Sequence, residues 1–216
     1  MTTYINPMKF LLRTAILALV VSLPLTAQAS TPEAAPVSAL NDALIAAMKA
    51  GSAGQSFQTR YDALAPVVNK SFDLPVVEQN SVGFLWSTIP AAQQSQLASV
   101  FDQFTVTSYV AEFSAYNGQQ ITLLPAEKNL GDKKIIRTQI VPPDGSTPTE
   151  LDYVVQNSPA GWKITDVLLN GTISQVAIHS SDFSSLVTSG DASRLIAALK
   201  TKVATLSGGA LSSGGQ

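Results

Sequence analysis

Apolar residues along this chain recur with two different periods, and the changes of period divide it into three parts. From Leu40 to Tyr116 they return every three or four residues, the spacing of one helix face. Leu40, Leu44, Ala47 and Met48 predict a first helix stopped by Gly51, and Phe57, Tyr61, Leu64 and Val68 predict a second. Phe72-Asp73-Leu74-Pro75 reads as a third helix entry: Asp73 can accept from free N–H groups, and Pro75 is tolerated in a first turn. That helix should end near Gly83. Ser87-Thr88-Ile89-Pro90 then starts a longer stretch, with Leu97, Val100, Phe101, Phe104, Tyr109, Phe113 and Tyr116 along one apolar face. The β-branched pair Val106-Thr107 should bend or split it before Asn117-Gly118 closes it.

The second part has strand character. Gln120 to Leu124, Lys133 to Val141, Leu151 to Asn157 and Trp162 to Leu169 are β-rich runs, separated by Leu130-Gly131-Asp132, Pro142 to Pro148 and Ser158-Pro159-Ala160-Gly161. Glycine supplies positive φ in such turns and proline fixes φ. Short connections imply antiparallel neighbours, so the four runs predict a four-stranded meander. After Gly171 the helical period returns. Ile173, Val176, Phe183, Leu186 and Val187 form one stretch. Asp191 should cap a last helix with Leu195, Leu199 and Val203 on one face. Ser207 to Gln216 reads as a flexible tail. Helices, a meander, then helices is an α+β order: an antiparallel sheet packed against N- and C-terminal helices. The wedge between the layers is where such folds keep a cavity.

The N-terminus carries a different signal. Lys9 and Arg13 precede an apolar run from Thr14 to Leu25, too short to span a bilayer, which takes ~20 residues. Ala27-Gln28-Ala29 follows as an A-x-A site, so residues 1–29 read as a signal peptide cleaved after Ala29. Residues 30–206 then form a single domain, in the periplasm of a bacterial-type cell. With no cysteine in the chain, thiol nucleophiles and thiolate metal sites are excluded. The formal charge is −2, and loss of Lys9 and Arg13 makes the mature chain more acidic. No basic run exists, which argues against nucleic acid as a partner, because phosphate neutralisation supplies most of such affinity. Charged residues make up 13% and apolar residues 45%, a balance that leaves apolar side chains to spare for a cavity wall.

Candidate chemistry is sparse. His179 is the one histidine, and Asp182 stands three residues away without a nucleophile-elbow motif near it. Asp166, in the last strand, is the carboxylate most suited to face inward. An enzyme using Asp166 or His179 as acid or base is therefore the alternative to a binding protein, and a plain interaction module with a filled core is another. No phosphate-cradling glycine motif occurs, and zinc would need three or four ligands from a chain with one histidine. Spacing alone favours core packing over a ligand wall for the Phe101 to Tyr116 stripe.

Taken in order, several of these pieces resemble the MlaC family of periplasmic phospholipid carriers, also called the toluene-tolerance auxiliary family. They are Phe72-Asp73-Leu74; Gly83 and Trp86 before Ala91 to Leu97; Phe101 and Phe104; and Tyr109 leading to Tyr116-Asn117-Gly118-Gln119. In the second half they are Tyr153, Gly161 to Val167, Gly171-Thr172-Ile173-Ser174, Phe183 and Gly190 to Leu199. Gly171 to Ser174 and the Val176-Ala177 stretch look closest to the hopanoid-associated branch, HpnM. Two departures stand out. Where the family usually has a basic element before the phenylalanine at Phe183, this chain has His179 and Ser180, and no strongly basic residue neighbours Trp86.

The resemblance implies a sheet with helices enclosing an apolar pocket, no catalysis, no metal and no cofactor. It implies membrane lipid, phospholipid or hopanoid, as cargo. It also implies shuttling between an outer-membrane lipoprotein complex and an inner-membrane ABC transporter with an MCE-domain subunit. The expected pocket wall is Phe101, Phe104, Tyr109 and Phe113 from the long helix, with Trp162, Ile164 and Val167 from the last strand. Only one parity of that strand can face inward, because strand side chains alternate. Ile173, Val176 and Phe183 would close the pocket from the C-terminal side.

Overall fold

The computed structural model describes residues 31–125 and 127–211. The expected signal peptide and its cleavage site lie outside them. Four helices come first: α1 (Ala35–Ser52), α2 (Phe57–Ser71), α3 (Leu74–Val82) and α4 (Ala91–Glu112), with a short 3₁₀ turn, Gly83–Thr88, before the last. The Ser56 side chain accepts from Thr59 N at 3.1 Å and starts α2. Asp73 accepts from Val76 N at the start of α3, and Gly83, with φ 75°, ends it. Gly51 does not stop α1. It stays helical because a Cβ there would lie 1.9 Å from the Ser114 carbonyl oxygen, so its small size admits the chain that leaves α4.

Helix α4 is one continuous helix through Val106-Thr107, not two. Both side chains are fully buried, and packing on the other helices overrides their weak helix preference. Leu97, Val100 and Val110 are buried on the same helix, and α2, α3 and α6 (Ser193–Leu206) pack around it. The buried Arg60 donates from Nη1 to the Val110 carbonyl at 2.9 Å, tying α2 to α4. The helix ends at Glu112, so Phe113 and Tyr116 lie beyond it.

The sheet is antiparallel, as expected, with seven strands among the described residues in place of four. These are β1 (Gln120–Leu123), β2 (Lys128–Leu130), β3 (Lys133–Ile136), β4 (Thr138–Val141), β5 (Thr149–Ser158), β6 (Gly161–Leu169) and β7 (Ile173–Ser174). The run Lys133–Val141 breaks at Arg137, and its halves β3 and β4 pair along the same edge of the long β5. Asp152, fully buried, holds the break: its Oδ1 accepts from Thr138 N at 3.2 Å, and its Oδ2 lies 3.6 Å from Arg137 Nε. Arg137 is also paired with Glu150. On the other edge β6 pairs with β5 through a bulge at Thr165, so that Tyr153 opposes Val167 while Val155 opposes Ile164.

Ile173 sits in β7, not in the helix that follows; that helix is α5 (Gln175–Phe183). Asp191, the expected cap of α6, lies one residue before the cap position, which Ala192 occupies; its Oδ1 accepts from Ser193 N at 2.9 Å and from Gln93 Nε2 at 3.1 Å. The expected tail begins with an ordered reversal: Ser207 Oγ accepts from Leu211 N at 3.1 Å, and Leu211 is buried.

Candidate functional site

Between α4, the sheet and α5 lies a cavity of about 460 Å³, within the ~300–1,000 Å³ range of pockets that hold small apolar ligands. One wall is α4, which presents Phe101, Phe104 and Tyr109, with Phe113 just past its end. The sheet contributes Ile140, Leu151, Val167 and Leu169, and α5 contributes Gln175, Val176 and His179. Phe72 and Val77, at the start of α3, complete the enclosure. Phe104, Tyr109, Ile140, Leu169 and Val176 are only partly buried, unlike the packed side of α4; the surface they leave open faces the cavity. Glu112 and Thr149 are exposed and mark the rim.

The bulge at Thr165 explains which strand residues reach the cavity. Directly opposed residues of an antiparallel pair share a face. Leu151, Tyr153 and Val155 of β5 therefore share one face with Leu169, Val167 and Ile164 of β6. Leu151, Val167 and Leu169 border the cavity, while Tyr153 and Ile164 are completely buried deeper in the core. Strict alternation would have put Ile164 and Val167 on opposite faces.

Of the residues expected in the wall, Phe101, Phe104, Tyr109, Phe113, Val167 and Val176 line the cavity together. The other four stand elsewhere. Ile164 is core, bridged to Phe72. Trp162 lies further along β6, with Lys134 Nζ 5.6 Å from its ring centroid. Phe183 is buried behind His179, the two rings stacked with centroids 5.3 Å apart. Ile173 is 49% exposed on β7.

Sequence reasoning missed Phe72, Val77, Ile140, Leu151 and Leu169 as wall residues, and it weighed His179 only as an acid or base and as the residue standing where the family has a basic element. The spacing Val176–His179 on one helix face was the available signal.

The polar groups in the wall are mostly occupied within the protein. Asp166 Oδ1 accepts from Val167 N at 2.8 Å and Val176 N at 3.1 Å, and its Oδ2 accepts from Ser174 Oγ at 2.6 Å. It thereby anchors the start of α5. Thr105 and Ser108 donate back to the carbonyls of Phe101 and Phe104. His179 makes ring contacts only, stacked on Phe183 and edge-on to Phe101 and Phe104, with no hydrogen bond among the described residues. Burial lowers its pKa, against smaller opposing effects of Asp182 and Asp166, so the imidazole is neutral at pH 7. Burial also raises the Tyr109 hydroxyl, which stays protonated.

These features define an α+β protein built around an apolar cavity with a polar rim. The family is shown by sequence: the model described as "MlaC protein" matches residues 38–201, and the chain belongs to the MlaC family. The fold is similar to that of a phospholipid-binding protein from Ralstonia solanacearum, solved in complex with a phospholipid. The TM-score is 0.69 at 21% identity, over 82% of this chain and 99% of that one. No curated protein matches the chain.

Proposed function

We propose that this protein is a periplasmic lipid carrier, holding the apolar part of a membrane lipid in the cavity between α4, the sheet and α5. The carrying observation is the wall itself: partly buried aromatic and aliphatic side chains around an open space, next to a helix whose other side is densely packed. Membership of the MlaC family supports the reading, as does the phospholipid in the similar Ralstonia solanacearum structure.

The physics makes the task intelligible. Each methylene exposed to water costs ~0.8 kcal/mol, so a two-chain lipid faces a penalty on the order of 20 kcal/mol in an aqueous compartment. A dry sleeve around chain atoms removes much of that penalty, while a polar head can stay wet at the rim. Acid–base catalysis has less support, because Asp166 is committed to holding α5 and His179 has no hydrogen-bonded relay partner among the described residues.

The finer reading follows the resemblance. Export with cleavage after Ala29 would deliver the domain to the periplasm, where it would pass lipid between an outer-membrane lipoprotein complex and an MCE-domain ABC transporter. Gly171 to Ser174 favours the HpnM branch, and with it a hopanoid as well as a phospholipid cargo. The test is native mass spectrometry of protein purified from periplasm, with extraction and identification of what co-purifies. Bound lipid is expected, on a chain that begins at Ser30. A protein that carries none, and takes up none from vesicles, would overturn the carrier reading.

A further inference from the structure

The carrier reading leaves open what kind of head group the cavity admits, and the charges around it bear on that question. The acidic side chains in its lining are Glu112 at the rim and Asp166 in the wall; none of the lining residues is lysine or arginine. Arg137, which stands just before β4, belongs to the other side of the sheet. Glu150 and Asp152 alternate with Thr149 and Leu151 on β5, so they point away from the cavity, and both hold Arg137 there. His179 offers an unpaired, neutral imidazole to the cavity.

We propose that the cavity selects lipids whose polar end carries no net negative charge, such as a zwitterionic amine head or an uncharged hydroxyl-bearing end, over anionic glycerophospholipids. The inference rests on the carrier reading and adds head-group charge to it. A phosphate head with a net negative charge meets like charge at Glu112 and Asp166 and finds no cation in the wall. An amine at the same place is attracted by the same carboxylates. A hydroxyl can donate to or accept from the His179 ring. The rim is exposed, so salt should weaken the selection.

The experiment loads delipidated protein from vesicles of phosphatidylethanolamine and phosphatidylglycerol in equal parts, at low and at high salt. The bound lipid is then identified by mass spectrometry. Several-fold enrichment of phosphatidylethanolamine is expected at low salt, with less at high salt. Glu112→Lys, on an exposed helix end, should move the bound fraction toward phosphatidylglycerol, and His179→Arg should do the same from the wall. Equal uptake of the two lipids, or a preference for phosphatidylglycerol, overturns the charge rule and leaves the carrier intact. So does a Glu112→Lys protein with parental melting and an unchanged lipid ratio. Uptake of neither lipid overturns the carrier reading, and this inference with it.

Discussion

Helix α4 has two sides with opposite fates. On one, Val100, Val106 and Val110 are 4% exposed or less, enclosed by the helices packed around α4. On the other, Phe104 and Tyr109 keep part of their surface open to the cavity. Both sides are apolar, so composition does not tell them apart. What differs is whether another part of the same chain arrives to cover them. An apolar face left uncovered beside an enclosed space is provision for a ligand, and mutations should separate the two sides cleanly.

The largest effect belongs to the packed side. Val106→Ala combined with Val110→Ala removes two buried side chains and should cost roughly 2–5 kcal/mol of stability, measured by denaturant titration. A cost near zero would mean that this side is not the tight one.

Next comes Glu78 of α3, almost fully buried on the packed side near Asp102. Burial, reinforced by Asp102, pushes its carboxyl up to about 8. Its unfolded value is near 4.3, so the folded protein holds this proton more tightly than the unfolded chain does. The associated stability is full below about pH 4.3 and is lost as the pH rises to about 8. Glu78→Gln should gain roughly 1–3 kcal/mol at pH 8 and little at pH 4, flattening the slope between them. Parallel pH profiles for parent and variant would refute the assignment.

On the cavity side, Val176→Trp should change stability by less than about 1 kcal/mol, where a filled core would lose roughly 1–3. The same variant should lose bound lipid. Strong destabilisation, with no lipid found in the parent either, would make the cavity side an ordinary core.

The smallest effect is expected from His179→Ala, which should leave the fold and the uptake of phosphatidylethanolamine nearly unchanged, because the ring's hydrogen-bonding role concerns hydroxyl-bearing ends. Its signature is in pH. Burial holds the folded His179 below its ordinary value of about 6.5, so the unfolded chain binds that proton better. Stability from this group is full above pH 6.5 and falls as the pH drops below it. The variant should lack that decline in thermal melts between pH 7 and 5.

The start of α3 was legible because its cause is local: Asp73 acts within three residues. The strand break at Arg137 was not, because the group that holds it, Asp152, lies on another strand. The bulge at Thr165 defeated the alternation argument for Ile164 and Val167 in the same way, since register is set by the partner strand. For the site, the aromatic residues of α4 could be read from helical spacing. Leu151, Leu169 and Ile140 could not, because only the folded sheet brings them to the same space. Gly51 was misread for a related reason: its cause is the Ser114 carbonyl, far along the chain.

The break at Arg137 also sets where the cavity wall is stiff and where it yields. Strand β6 is laced to β5 from Leu151 to Ser158, whereas the β4–β5 ladder has two residue pairs, Gln139 with Glu150 and Ile140 with Thr149, beside the Thr138 bond to Asp152. The β1–β4 ribbon, which brings Ile140 to the cavity, is therefore the hinged panel of an otherwise riveted box. Short pairing means few bonds to open, and local opening is cheapest where few bonds hold. Elastic compliance is concentrated in the part of the wall that carries Ile140, beside the exposed Thr149 at the rim.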